Sequence, residues 1–161
     1  MNCDICNKGK FVRRELGRYD LGPVLGLEGV TLLGAKGLVC DHCGEVMLDG
    51  EVIDQATEVL NLLLVSQAGV LTPSEVRYLR KELEMTQEQL AERLGIHRVS
   101  VARWETGEVE IGQVESMALR AMVAMRAVEH RPRQGREIAS RFMHPTTNHR
   151  HGPYEITLSA A

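Results

Sequence analysis

Thr86 to Glu105, TQEQLAERLGIHRVSVARWE, leaves a chain few ways to fold. Thr86 is placed to cap a helix, and Gln89, three residues on, to reach back and complete a capping box. Leu90, Ala91 and Leu94 share one face at helical spacing. Gly95 falls where the chain must turn sharply and a positive φ is useful. Ile96 fills the corner. Val101 and Trp104 bury the inner face of a second helix, and small Ala91 lets the two helices cross closely. An ordinary αα-corner explains part of this pattern. It does not explain why the cap, Ala91, Gly95, Val101 and Trp104-Glu105-x-Gly107 all fall in register.

Arg98, Val99, Ala102 and Arg103 are left on the outer face of the second helix. A rigidly held helix with such a face suits the major groove of double-stranded DNA. Arg98 and Arg103 are the candidates to meet guanine edges, and Val99 fits a thymine methyl. His97 and Ser100 are placed to touch backbone. The first helix starts at Thr86 and Gln87. Its free N–H groups, with the Gln87 side chain, suit a phosphate. Arg77 and Arg80 read equally well as phosphate contacts or as solvated charges. From about Ser74 to Gly107 the chain resembles the Xre/Cro-like helix-turn-helix family.

All four cysteines lie in two pairs, Cys3-Asp4-Ile5-Cys6 and Cys40-Asp41-His42-Cys43. Each pair makes a tight knuckle with two thiolates on one side, and two knuckles supply a tetrahedral Zn²⁺ site. Four sulfurs leave no open position for water, so a structural zinc is expected. His42 is an alternative ligand, although a loop histidine is ordinarily solvated. A thioredoxin-like dithiol fits poorly, because that chemistry needs a helix N-terminus to activate its thiol. The 33 residues between the pairs hold short Val- and Leu-rich runs at Lys10–Leu16, Tyr19–Leu25 and Val30–Leu33. Glycines separate them, so they read as strands of a small antiparallel sheet, with Gly9 and Gly44 serving the knuckle turns.

The fold class expected is α+β. A zinc-bound β unit with a trailing helix occupies 1–68, and an all-α helix-turn-helix domain that also dimerises occupies 69–130. A basic tail without regular structure, stopped off by Pro132, occupies 131–161. The trailing helix runs from a cap at Asp49 to Gln67, with Val52, Ile53, Ala56, Val59, Leu60, Leu63 and Leu64 as its apolar stripe. That stripe suits either the zinc unit or the second domain. Thr72-Pro73-Ser74-Glu75 starts the next helix with a cap, a first-turn proline and an acid three residues on. From Glu110 to about Glu129, apolar residues cover more than one face, with Val114, Met117, Ala118, Ala121, Met122 and Met125 on one side and Leu119, Val123 and Ala127 on another. One face serves the core, and the other is expected to join two copies.

Net charge is −3 at pH 7, so bulk charge does not announce a nucleic-acid binder. The last 31 residues carry five arginines against Glu137 and Glu155, a local +3 that leaves −6 on the remainder. The tail arginines suit non-specific attraction to phosphates. His144, His149 and His151 invite a metal reading, which their irregular setting does not favour. The apolar run at Val59–Val65 is too short to span a bilayer, and the N-terminus lacks a signal-peptide core. A cytoplasmic protein with reduced thiols is expected.

Tyr19–Leu33 (YDLGPVLGLEGVTLL), the run to Cys40-x-x-Cys43-Gly44 and the helix-turn-helix beyond resemble the MqsA/YgiT-type antitoxins over about Met1 to Met125. The resemblance implies a structural zinc on Cys3, Cys6, Cys40 and Cys43. It implies an N-terminal unit that binds and neutralises an mRNA-cleaving toxin, and a C-terminal domain that dimerises on a palindromic operator to repress its own operon. The position matching the family's base-reading arginine is Arg103. One turn earlier, where toxin-paired members can carry Asn, this chain has Val99, which implies a different operator. The competing class is a stand-alone regulator that senses redox state or metal through its cysteines. No nucleophile–base pair, open metal site or phosphate-cradling loop points to an enzyme.

Overall fold

The computed structural model describes residues 1–130, 132–145 and 152–158. It starts with a long hairpin. Strand β1 (Phe11–Asp20) pairs antiparallel with β2 (Val30–Cys40), from Phe11 opposite Cys40 to Asp20 opposite Thr31. The three runs separated by glycine in the sequence are therefore two strands. Gly17 and Gly34 lie inside them, and the register is the same on either side. Gly34 takes φ +65°. Across it the buried side of β2 switches from Val30 and Leu32 to Ala35 and Gly37. The glycine turns the strand's inward face over without ending the ladder.

Leu21–Leu25, expected as strand, instead forms a helical turn, α1 (Gly22–Leu25). The Asp20 carboxylate accepts from the Gly22 amide at 2.8 Å, Pro23 suits a first helical turn, and Gly26 closes it at φ +73°. These local signals outweigh the apolar composition. Short β3 (Val46–Met47) pairs with β2 at Leu38 and Val39.

Helix α2 (Gly50–Ser66) follows Asp49 and buries Ala56, Leu60, Leu64 and Val65. Asp49 adopts the extended cap backbone without a capping hydrogen bond. Its carboxylate pairs with Arg13 at 3.1 Å. The stripe of α2 faces the C-terminal half and packs on α6 (Gln113–His130) and α7 (Pro132–Met143). Between α2 and α6 come α3 (Pro73–Glu82), α4 (Gln87–Leu94) and α5 (Arg98–Thr106). Both predicted capping boxes form, at Thr72/Glu75 and Thr86/Gln89. One core cluster runs from Leu21 and Leu32, through Leu60, Leu79, Leu90 and Leu119, to Ile138 and Ile156.

The segment after residue 130 differs most from expectation. Pro132 does not end the fold but starts α7, in the first turn, where proline is tolerated. α7 packs back along α6. The approach is close enough that a Cβ on Gly135 would lie 2.3 Å from the Ala127 carbonyl oxygen. Strand β4 (Tyr154–Thr157) then pairs parallel with β2, Val30 opposite Tyr154 and Leu33 opposite Thr157. His144 is exposed, whereas Arg131, His149, Arg150 and His151 lie outside the described residues. Gly135→Ala is expected to push α7 off α6, costing about 1–3 kcal/mol by overpacking. Urea denaturation of wild type and variant measures that loss.

Candidate metal centre and nucleic-acid interface

The two knuckles bring the four cysteine sulfurs to within 4.8 Å of one another. Cys3 Sγ lies 3.7 Å from Cys43 Sγ, and Cys6 Sγ 3.7 Å from Cys40 Sγ. Four sulfurs about 2.3 Å from a central Zn²⁺ form a tetrahedron with edges of about 3.8 Å, so the spacing fits a tetrahedral metal ion. His42 is exposed and stands outside the group.

The backbone explains the convergence. Asn7 donates to the Cys3 carbonyl and Gly44 to the Cys40 carbonyl, at 2.9 and 3.1 Å. Asn7 and Gly44 occupy matching places and both take positive φ, 53° and 76°. Gly9 is needed for space instead. A Cβ there would meet Cys40 Sγ at 2.5 Å and the Asp41 carboxylate at 2.7 Å. The Gly9 amide points at Cys6 Sγ at 3.4 Å. Together with the Lys8 amide it lowers the Cys6 thiol to about 6, which favours the thiolate a metal takes.

The second site rests on a buried carboxylate. Glu105, at the end of α5, is 5% exposed. Arg80 from α3 grips it with two nitrogens, at 2.5 and 3.1 Å, and also donates to the Met85 carbonyl at 2.7 Å. Gln87 from α4 donates to Glu105 at 2.9 Å, and Arg77 donates to its carbonyl at 3.0 Å. Three helices are thus pinned at one carboxylate. Burial raises the Glu105 carboxyl pKa, but the Arg80 and Gln87 hydrogen bonds and the charges of Arg80 and Arg77 outweigh it, and the group sits below its ordinary value.

That network revises several sequence expectations. Arg80 is a brace, with its side chain only 12% exposed. The Gln87 side chain is engaged with Glu105 rather than projecting outward. Thr86 is exposed beside it, with its hydroxyl accepting from the Gln89 amide. His97 caps α5, its Nδ1 accepting from the Val99 amide at 3.2 Å. Ser100 and Ala102 are half-buried. Val101 and Trp104 face inward as expected.

Arg98, Val99 and Arg103 stand out from α5. Val99 is half-exposed, and the arginines lie against carboxylates: Arg98 is 4.0 Å from Glu88 and Arg103 3.1 Å from Glu108. The bracing role of Glu105 was not read from the sequence. Its only trace there was the Trp-Glu-x-Gly run, and periodicity says nothing about a buried acid.

A helix-turn-helix family profile matches residues 76–119. Residues 76–119 form a helix-turn-helix domain. The chain is also similar to Antitoxin MqsA of Escherichia coli (strain K12), 27% identical over 111 residues, which is 68% of this chain and 82% of that protein. The chain thus joins a helix-turn-helix domain to a four-cysteine β unit, and it is similar to that antitoxin over about two thirds of its length. Among the described residues, no helix is long and apolar enough to cross a membrane.

Glu105→Gln leaves the Arg80 charge buried without its partner and is expected to cost about 3 kcal/mol at neutral pH. Because the folded-state pKa of Glu105 is lowered, its contribution is complete above the ordinary glutamate pKa of about 4.3 and fades as pH falls through the folded value. Urea titrations across that range should show the gap between wild type and variant narrowing on acidification.

Proposed function

We propose that this chain is a DNA-binding repressor and antitoxin that reads its operator with α5. The observation that carries the reading is the outer face of α5, where Arg98, Val99 and Arg103 project from a helix braced by Glu105. Arg103 meets a guanine edge and Arg98 a second base or its phosphate, each leaving a carboxylate on binding. Val99 lies on a thymine methyl. The start of α4, at Thr86 and Gln87, anchors a phosphate through backbone N–H groups. His97, Ser100 and Ala102 complete the contact face.

Two copies bind a palindromic operator. Support comes from α6, where Val114, Met117, Met125 and Val128 are exposed and half-buried Ala121 continues the line at helical spacing. The opposite face of α6 is taken by the core residues Leu119, Val123 and Ala124. A second copy covering the exposed stripe pairs two recognition helices on one DNA. Residues 69–130 thus form the operator-binding and dimer-forming domain.

Cys3, Cys6, Cys40 and Cys43 hold one structural Zn²⁺. Bound zinc would cross-link the chain start to the end of β2 and supply folding energy to a unit with little core of its own. Its coordination is filled by thiolates, which fits a regulator rather than an enzyme. Residues 1–68 carry the face for a toxin, taken as an mRNA-cleaving protein from the family resemblance. The thiol chemistry suits the reducing cytoplasm. A stand-alone redox or metal sensor is not favoured beside the antitoxin likeness.

Arg103→Ala should weaken binding to DNA from the chain's own promoter by about 1–3 kcal/mol, with little change on unrelated DNA. Fluorescence anisotropy at fixed salt decides this, and undiminished operator affinity places the reading surface elsewhere. Met117→Glu is expected to lower the mass in solution from two copies to one, measured by analytical ultracentrifugation. Elemental analysis should find one zinc per chain, lost in Cys40→Ser.

A further inference from the structure

The upper half of β2 is a strand-accepting edge, and the chain fills it with its own C-terminus. The main chain of Tyr154–Thr157 runs parallel to Val30–Leu33, and the Tyr154 amide donates to the Gly29 carbonyl at 2.7 Å. Two side chains point inward, Tyr154 at 6% and Ile156 at 0% exposure. Between them, Glu155 pairs with Arg18 of β1 at 2.9 Å. Alternation and a charge pair together select one register.

The Tyr154 hydroxyl leaves the sheet unit altogether. It donates to the Glu75 carboxylate of α3 and accepts from Gln67 Nε2 at 3.2 Å. Glu75 is 1% exposed, and its other oxygen closes the capping box on the Thr72 amide at 2.7 Å. Gln67 starts the stretch that joins α2 to α3. Arg120 of α6, 4% exposed, holds the same stretch by donating to the Gln67 and Gly69 carbonyls at 2.8 and 2.7 Å. The Leu71 amide donates to Ser116 Oγ at 3.1 Å. A tyrosine on the added strand thus touches both the connecting stretch and the first turn of the helix-turn-helix domain.

We infer that Tyr154–Thr157 is an internal clasp that locks the cysteine unit onto the DNA-binding domain through the Tyr154 hydroxyl. Removing the strand leaves Glu75 and Gln67 without that partner and opens the edge of β2. The stretch 67–71 then loses that anchor and becomes a hinge, with Arg120 and Ser116 of α6 still holding it. If the proposed function holds, whatever seats on the cysteine unit is carried at a fixed position relative to α5 while the clasp is closed. The clasp itself does not depend on that reading.

Two variants of the full-length, metal-loaded protein test it. Ile156→Asp puts a charge on the buried side of β4, and Tyr154→Phe removes only the hydroxyl. ¹⁵N relaxation should report one tumbling time for the β1–β2 hairpin and α3–α5 in wild type, and two distinct times in Ile156→Asp. Elastase should cut within residues 67–71 about ten-fold faster in Ile156→Asp and several-fold faster in Tyr154→Phe, since local opening governs cleavage. A single tumbling time in a folded Ile156→Asp overturns the inference. If that variant fails to fold, Tyr154→Phe decides: faster cutting supports the clasp, and the wild-type rate overturns it. Operator affinity, measured alongside, reports separately on the proposed function.

Discussion

Glu105 is the point from which the DNA-facing half takes its shape. A carboxylate buried this far is costly unless fully partnered. Here Arg80 supplies two hydrogen bonds, Gln87 a third, and Arg77 adds charge from the rim. Those partners sit on α3 and α4, while Glu105 ends α5. The angle of α5 is therefore set by polar geometry as well as by the apolar contacts of Leu90, Ala91, Val101 and Trp104. Such precision matters for the proposed operator reading, because a bidentate arginine–guanine contact tolerates little displacement. Glu88 and Glu108 beside the exposed arginines show that the outer face of α5 is not uniformly basic. That agrees with a chain whose net charge is negative.

The cysteine unit solves a different problem. Its hairpin is long but exposes much of β1, and few of its residues reach the core. The thiol cluster closes one end of that hairpin, where Gly9 makes room for the sulfurs. The other end is held by Leu21, Leu27, Val30 and Leu32, which join the core with α2 and β4. Gly34 lets one strand serve both ends by turning its buried side over.

Legibility from sequence tracked how local the signal was. The helix starts at Thr72 and Thr86, the turn at Gly95 and the inward Val101 and Trp104 were all readable, because caps and periodicity lie within a few residues. The cysteine spacing foretold the clustered sulfurs for the same reason. The strands between were misjudged because Gly17 and Gly34 look like breaks, and a glycine inside a ladder is recognised only once its partner strand is known. Arg80 and Gln87 were assigned outward because nothing local shows that Glu105, 25 and 18 residues away, takes them. Strand β4 was missed because its pairing is with β2, more than a hundred residues earlier. The apolar stripe of α6 was seen, and the structure separates its buried and exposed members.

The central claim is that a braced α5 reads a two-fold operator. Hydroxyl-radical footprinting of the metal-loaded protein on DNA from its own promoter tests that most directly. The account predicts two protected patches on one face of the duplex, related by a dyad and about one helical turn apart. Uniform protection that fades with salt and shows no dyad would contradict it.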